Sequence, residues 1–324
     1  MKLHKARWWM WCVALTMISA AQAQGYPTRP VRLIVPFPPG GGADVMGREA
    51  AQILSEQLKQ QVIVDNRGGA AGRVGFEVVM NSQPDGYILL LGGSGAMIVA
   101  PAMYPKLPYN MQRNFAPISQ IAVSPYALLV HPAVPVQNMK QMVALAKSKP
   151  GTLNYASSGQ GGPGHLAGEL FQFMTQTKLA HVAYRGSGPG VMSVMTGETD
   201  LIFSNILPAV TAVQTKRLRA IVVTSLKRSS ALPDVPTAEE SGLKGFEVVT
   251  RYALLAPAGT PDDILNRLNA ALVQGLRSPK VIERLEADGS QVASTTPKDL
   301  AAIILRDTER WTEVVKKAGI KPDG

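Results

Sequence analysis

The stretch Val31 to Asp44, VRLIVPFPPGGGAD, constrains the fold more than any other part of this 324-residue chain. Val31, Leu33, Ile34 and Val35 make a short apolar run of the kind that a parallel sheet buries on both faces. Pro36, Pro38 and Pro39 end that strand and stiffen its exit. Gly40, Gly41 and Gly42 carry no side chains, so a ligand can come close to their backbone. Beyond them Met46, Ala50, Ile53, Leu54 and Leu58 fall on one face at helical spacing. A glycine-rich turn that feeds a helix presents unpaired N–H groups at the positive end of a dipole. That arrangement suits a carboxylate or a phosphate. The same residues also serve a plain βα turn with no ligand, and Asp44, in the first helical turn, fits capping and dipole pairing ahead of ligand contact.

Strand and helix signals alternate along the rest of the chain. Val62 to Val64 reads as a strand, Val74 to Met80 as a helix and Tyr87 to Leu91 as a strand. Gly92, Gly93, Ser94 and Gly95 then read as a second flexible loop, and Pro101 to Pro117 as an irregular passage. Ile118 to Val123 and Tyr126 to Val130 are strand-like, and Met139 to Ser148 is helical. The opening plan then recurs: strand Leu153 to Ser157, a loop from Ser158 to Gly164, and a helix from about His165 to Thr175. His181 to Tyr184, Leu201 to Phe203 and Leu218 to Thr224 supply further strands, with a helix between Gly190 and Thr196. Phe246 to Leu255 is a strand, and the tail is helical. There Thr260, Ser278 and Thr296 each precede a proline in the manner of an N-cap, and Gly289 and Gly319 stand as stops. The pattern predicts an α/β fold of two lobes joined by two crossings. Lobe one would hold 24–124 and 248–324, and lobe two 125–247. A glycine loop from each lobe would face the cleft, at the carboxyl ends of the strands.

The N-terminus reads as an export signal, residues 1–23. Lys2, Lys5 and Arg7 precede an apolar run from Trp8 to Ala20, and Ala21-Gln22-Ala23 is a small-x-small cleavage site. The mature chain would start near Gln24, soluble and exported, most simply to a bacterial periplasm. The single cysteine, Cys12, lies in the signal, so a mature thiol nucleophile, disulfide or Cys-ligated metal is excluded. The formal charge of +10 falls by three when Lys2, Lys5 and Arg7 leave. No run of basic residues is interleaved with aromatics, which argues against nucleic acid.

Catalytic constellations are missing from the pattern. Gly159, Gly161 and Gly164 fit GxGxxG, but Tyr184 and Arg185 stand where a dinucleotide site needs an acid. No nucleotide or other cofactor is expected. His131, His165 and His181 are widely spaced, so no metal site is expected. Ser94 in GGSGA misses the GxSxG elbow at Ala96. An exported hydrolase using Ser94 or Ser158 is the alternative from a different class. His165 opens the helix after the second glycine loop, where it can meet a ligand or cap the turn. Tyr184 and Asn205 end two strands, where each can reach the cleft or sit buried and satisfied. With no paired acid and base, the reading is a binder and not an enzyme.

The ordered stretches YPTRPVRLIVPFPPGGGAD (26–44), VIVDNRGGAAG (62–72), PDGYILLLG (84–92), LNYASSGQGGPGHLAGELF (153–171), HVAYRGSGP (181–189), DLIFSN (200–205) and LRAIVVTSLKRSSALPDVPTAEESGL (218–243) resemble the Bug family. These are the extracytoplasmic solute receptors of tripartite tricarboxylate transporters, and the likeness runs from about Tyr26 to Lys321. It implies a type II periplasmic-binding-protein fold that closes on a small carboxylate, with each lobe a central sheet flanked by helices. It also implies a carboxylate held by backbone groups of two loops. By position that role falls on Phe37, Gly40, Gly41, Gly42, Ala43 and Asp44 in one loop. In the other it falls on Ser157, Ser158, Gly159, Gly161 and Gly162. Ser94, His165, Tyr184 and Asn205 would line the rest of the pocket. The implied partners are a di- or tricarboxylate or an aromatic acid and the membrane permease subunits; a membrane sensor is the alternative partner, and a monomer is expected. Ser204 stands where many members carry Asp, which removes a partner for an amino group and points to acids over amino acids.

Overall fold

The computed structural model describes residues 25–319, apart from positions 70, 71, 105 and 288. The expected export signal lies outside the described residues. The first unit is strand β1 (Val31–Val35), helix α1 (Gly42–Leu58), β2 (Val62–Asn66), α2 (Arg73–Met80) and β3 (Ile88–Gly93). A π-helical turn, Gly95–Val99, runs into the short helices α3 (Ala100–Met103) and α4 (Met111–Asn114). Next comes the long strand β4 (Phe115–Val130), then α5 (Met139–Ser148), β5 (Asn154–Ser157), α6 (Pro163–Thr175), β6 (Ala180–Ala183) and α7 (Ser187–Met195). The chain goes on through β7 (Leu201–Asn205), α8 (Ile206–Gln214), β8 (Arg219–Val223) and β9 (Val249–Pro257). It ends with α9 (Asp262–Leu276), α10 (Pro279–Ala287), β10 (Gln291–Val292) and α11 (Pro297–Ala318). Among the described residues no helix is long and apolar enough to cross a membrane.

The strands order as β2-β1-β3-β9-β4-β7-β5-β6, with β8 and β10 also on β4. β1 is parallel to β2 and β3, and β5 is parallel to β6 and β7. β9 runs antiparallel to β3 and to the first part of β4, from Phe115↔Pro257 to Pro125↔Val249. From Tyr126 onward β4 pairs instead with β7 and β8. One strand therefore belongs to both halves of the molecule. The change of partner is closed by Thr224, which is fully buried. Its N–H donates to Tyr126 O at 2.8 Å, its hydroxyl accepts from Tyr126 N at 2.9 Å and donates to Val248 O at 2.5 Å.

Three expectations need correction. Gly92 and Gly93 are not a loop: they continue β3 and pair with Ala253 and Tyr252. A Cβ on Gly92 would stand 3.0 Å from Leu255 and Met97 side-chain atoms, so glycine serves close packing there, not flexibility. The two strand signals around Pro125 are one strand, because the proline sits where the ladder changes partners. Thr260 does not cap α9; its hydroxyl turns back to Pro257 O, and Pro261 stands at the N-cap. Helix α8 was masked in the sequence by the apolar run Ile206-Leu207-Pro208, whose proline is tolerated in a first turn. Thr296 does cap α11, accepting from Asp299 N, and Gly289 (φ 74°) and Gly319 (φ 65°) adopt the left-handed stop.

The two glycine loops are fastened by different chemistry. In the first, Asp44 is 4% exposed. One carboxylate oxygen accepts from Gly40 N and Arg48 Nε, both at 3.0 Å, and the other from Asn66 Nδ2 at 3.0 Å. Asn66 Nδ2 also donates to Phe37 O at 2.9 Å. The loop is thus stitched to the end of β2. In the second unit Tyr155 lies fully buried beneath α6, close to Gly168.

Two outcomes test this packing. In Gly168→Ala the new Cβ would lie 2.2 Å from the Tyr155 ring. Overpacking of about 1–3 kcal/mol should outweigh the helix-propensity gain of about 1 kcal/mol, giving a lower urea midpoint. The Arg48 guanidinium, with the Gly40 and Asn66 hydrogen bonds, holds the Asp44 carboxyl below the usual carboxylate range. A depressed folded value means that the stabilisation is complete above the unfolded value of about 4 and is lost as pH falls through the folded value. Asp44→Ala should therefore lower stability by about 2–3 kcal/mol at pH 7. The gap to the wild type should narrow in urea melts as pH falls below the unfolded value of about 4.

Candidate functional site

The carboxyl ends of β1 and β5 lead into the two glycine loops, and each loop borders a cavity between the halves. One cavity, about 340 Å³, is bordered by Gly40, Gly41 and Gly42 on one side and by Ser187, Gly188, Asn205 and Leu207 on the other. Ser124, Tyr252 and Ser290 complete its polar wall. The second cavity, about 320 Å³, takes Ser158, Gly159, Gln160, Gly161 and Gly162 from one side. Phe37, Arg73, Gly95, Met103 and Tyr104 face them. The first loop borders one cavity through Gly40, Gly41 and Gly42 and the other through Phe37, while the second loop borders the latter alone.

At the first cavity α1 starts on Gly41, with Gly40 in the left-handed region at φ 88°. Helix geometry leaves the N–H groups of Gly42 and Ala43 without intrahelical acceptors. Facing them, the Asn205 side-chain oxygen accepts from Ser187 Oγ at 2.8 Å, and its amide meets the Tyr126 hydroxyl. Burial pushes the Tyr126 hydroxyl up to about 12, and burial raises Tyr252 further still. Both remain neutral donors. A Cβ on Gly42 would stand 3.2 Å from the Tyr252 hydroxyl, so the glycine keeps that approach open.

At the second cavity α6 starts on Gly162 with Pro163 at its first position and no acidic residue in its first turn. Gly159 (φ 139°) and Gly161 (φ 70°) give the loop its shape. Gly161 N donates to His165 Nδ1 at 3.0 Å, which leaves Nε2 facing Glu169 at 3.7 Å. Ser157 Oγ lies 2.7 Å from His181 Nε2 and accepts from Gly159 N at 3.2 Å. The His165 and His181 rings stack at 4.0 Å, with Tyr155 stacked 4.8 Å from His181.

Several expected site residues are drawn together and others are not. Phe37, Gly40, Gly41, Gly42, Ser158, Gly159, Gly161, Gly162 and Asn205 border the cavities. Ala43 and Asp44 sit just behind, and the Asp44 carboxylate is engaged by its own loop. Ser94 is buried, accepting from Arg251 N at 2.7 Å as a cross-strand fastener. Ser157 and His165 are buried supports of the second loop. Tyr184 donates from its hydroxyl to Glu198 at 2.9 Å instead of facing a cavity. Ser204 is also buried, donating to Asn205 O at 3.1 Å, so its position borders neither cavity. Arg73, Tyr104, Ser187 and Tyr252 are lining residues that the sequence reading passed over. Gly72, at φ 96°, marks the turn that brings Arg73 in.

A hydrolase needs an accessible serine beside a base. Of the two serines expected for that role, Ser94 is held by backbone groups and Ser158 borders the second cavity, while the neighbouring serine that does meet a histidine, Ser157, has no exposed surface. Among the described residues no group of three or more His, Cys, Asp or Glu side chains is placed to hold a metal ion.

The chain is similar in sequence and in fold to known proteins. The chain is 35% identical to Protein BugT of Bordetella pertussis over 300 residues, 92% of each chain. The R. palustris protein Rpa4515, solved with adipate, superposes with a TM-score of 0.83 at 32% identity. That match covers 92% of this chain and all of the other. The periplasmic binding protein BugD superposes with a TM-score of 0.79 at 33% identity, again over 92% of this chain and all of the other. The fold is the two-lobed α/β fold of such binding proteins, and the family is one of solute receptors. A family model described as "Tripartite tricarboxylate transporter family receptor" matches residues 46–320, and the chain belongs to that family.

Proposed function

We propose that this chain captures a small carboxylate in the periplasm and delivers it to the membrane permease of a tripartite tricarboxylate transporter. The observation that carries this is the pair of glycine loops from opposite halves, each bordering a cavity with a helix N-terminus behind it. Lobe boundaries near 124/125 and 247/248 put one loop on each lobe, so closure would bring both onto one solute. The ligand contacts are the peptide groups of Gly40 to Ala43 and Ser158 to Gly162, with Phe37 and Asn205 beside them. Asp44, Ser94, Ser157 and His165 support those contacts, and Tyr184 stands behind them. The adipate carried by Rpa4515 and the periplasmic setting of BugD support the reading. So does the basic, apolar and small-residue order of 1–23, which reads as an export signal.

The energies are sufficient. Hydrogen bonds to a charged group contribute about 1.5–3 kcal/mol each and a helix N-terminus about 0.3–1. A few such contacts reach micromolar affinity, about −8 kcal/mol, after ordering costs.

A thermal-shift and calorimetry panel of carboxylates with their matching amides tests this. An acid at about 100 times its Kd should stabilise the fold by about 2.7 kcal/mol, raising Tm by roughly 2–4 °C. The amide should give no shift. Equal shifts from acid and amide, or none from a cooperatively melting protein, would remove the carboxylate reading.

A further inference from the structure

The two glycine loops rest on fasteners that titrate in different ranges. Asp44, beneath the first, is held below the usual carboxylate range and stays charged at any pH above about 4. The fastener beneath the second is an imidazole, a group that ordinarily titrates near pH 6.5, at about 6.5. His165 is buried, and its Nδ1 accepts from Gly161 N at 3.0 Å. A ring nitrogen accepts only through its lone pair. A proton on Nδ1 would set two N–H groups head to head. Gly161 lies in the left-handed region at φ 70°, one residue before the N-cap of α6. Its hydrogen bond therefore fixes the part of the loop that borders the second cavity.

Titratable and charged groups reach this region from several elements. On α6 itself, Glu169 Oε1 lies 3.7 Å from His165 Nε2. That oxygen also accepts from the Tyr155 hydroxyl at 2.6 Å and from Gln172 Nε2 at 2.9 Å. Burial and the neighbouring Glu169 push the Tyr155 hydroxyl far up, so β5 supplies a neutral donor. From β6 comes the His181 ring, stacked 4.0 Å from His165. Strand β7, Leu201–Asn205, has no titratable side chain. Helix α11 also packs against α6. Its Asp307 pairs with Arg251 and Arg306, and its Arg310 with Glu247. Arg73 borders the same cavity as the loop. Glu169 favours a charge on His165, while burial and a charged His181 oppose it. The two rings differ in what a proton costs. Ser157 Oγ lies 2.7 Å from His181 Nε2 and both donates and accepts, so that contact survives a proton on His181. A proton on His165 Nδ1 costs the loop its bond to Gly161.

We infer that His165 is a positioning residue of the second glycine loop and its proton switch: neutral, it holds Gly161 in place, and a proton on Nδ1 releases the loop. On the carboxylate-receptor reading above, on which this consequence rests, solute capture weakens in acid. The first test needs no solute. Amide exchange of Gly161, corrected for its intrinsic pH dependence, is followed by NMR at about pH 7.5 and about pH 5.5. Opening of the wild type should rise about tenfold, because a proton taken up on release counts tenfold per pH unit below about 6.5. In His165→Asn the side-chain oxygen stands in for Nδ1 and takes no proton, so opening should change by less than about twofold. His181→Gln should keep the pH dependence. Wild-type opening that does not change with pH overturns the inference, whatever the variants do. So does a His165→Asn protein that keeps the wild-type dependence, or a His181→Gln protein that loses it. The second test measures adipate affinity at the same two pH values. The wild type should lose about tenfold more than His165→Asn, whose loss reports the protonation of adipate itself. Equal losses overturn the inference and leave the receptor reading standing. If adipate binds neither protein, the receptor reading fails for this acid, and the exchange of Gly161 alone decides the inference.

Discussion

The pairing of β4 with β9 is what the rest of the molecule depends on. These two strands carry the chain between the halves, and they are hydrogen-bonded to one another up to Pro125↔Val249. At that point β4 leaves one ladder for another, and backbone groups would be buried without partners. Thr224 fills the gap with one hydroxyl and one peptide group, joining Tyr126 to Val248. Register follows from this closure. A slip of one residue would turn every buried side chain of β4 to the wrong face. It would also displace Tyr126 and Asn205, which face each other across β4 and β7 at the cavity wall.

The two glycine loops share a covalent plan and reach it by different means. One is ordered by a carboxylate, with Asp44 receiving Gly40, Arg48 and Asn66. The other is ordered by imidazole and hydroxyl, with His165 receiving Gly161 and Ser157 meeting His181 and Gly159. Each device secures the loop from beneath and leaves its peptide face toward a cavity. The two cavities also differ in lining, with no charged side chain among the residues that border the first and Arg73 among those that border the second.

Much of this was legible in the sequence. β1, α1, β5 and α6 announced themselves through apolar runs, proline and glycine punctuation and helical periodicity, and they place both loops. What the sequence could not give was the direction of single side chains. Ser94, Ser157 and His165 stand at positions that invite a ligand, yet the fold brings Arg251, His181 and Gly161 to them first. Those partners are distant along the chain or depend on a left-handed glycine, so local spacing cannot reveal them. Gly92 and Gly93 misled for the opposite reason. Their lack of side chains reads as freedom, but it is used for contact with the neighbouring strand. Arg73 was hidden because a lone arginine after GGAAG has no periodic partner. Only the fold sets it opposite the loop that precedes α6.

Asp44 gives the first loop an anion of its own, held in place before any solute arrives. Loop ordering is usually charged against a ligand at the moment of binding. Here the carboxylate of the protein has already fixed Gly40 and, through Asn66, Phe37. A solute bound as proposed at this edge of the cleft would find preorganised donors, and its contact energy would go into affinity instead of into folding the loop around it.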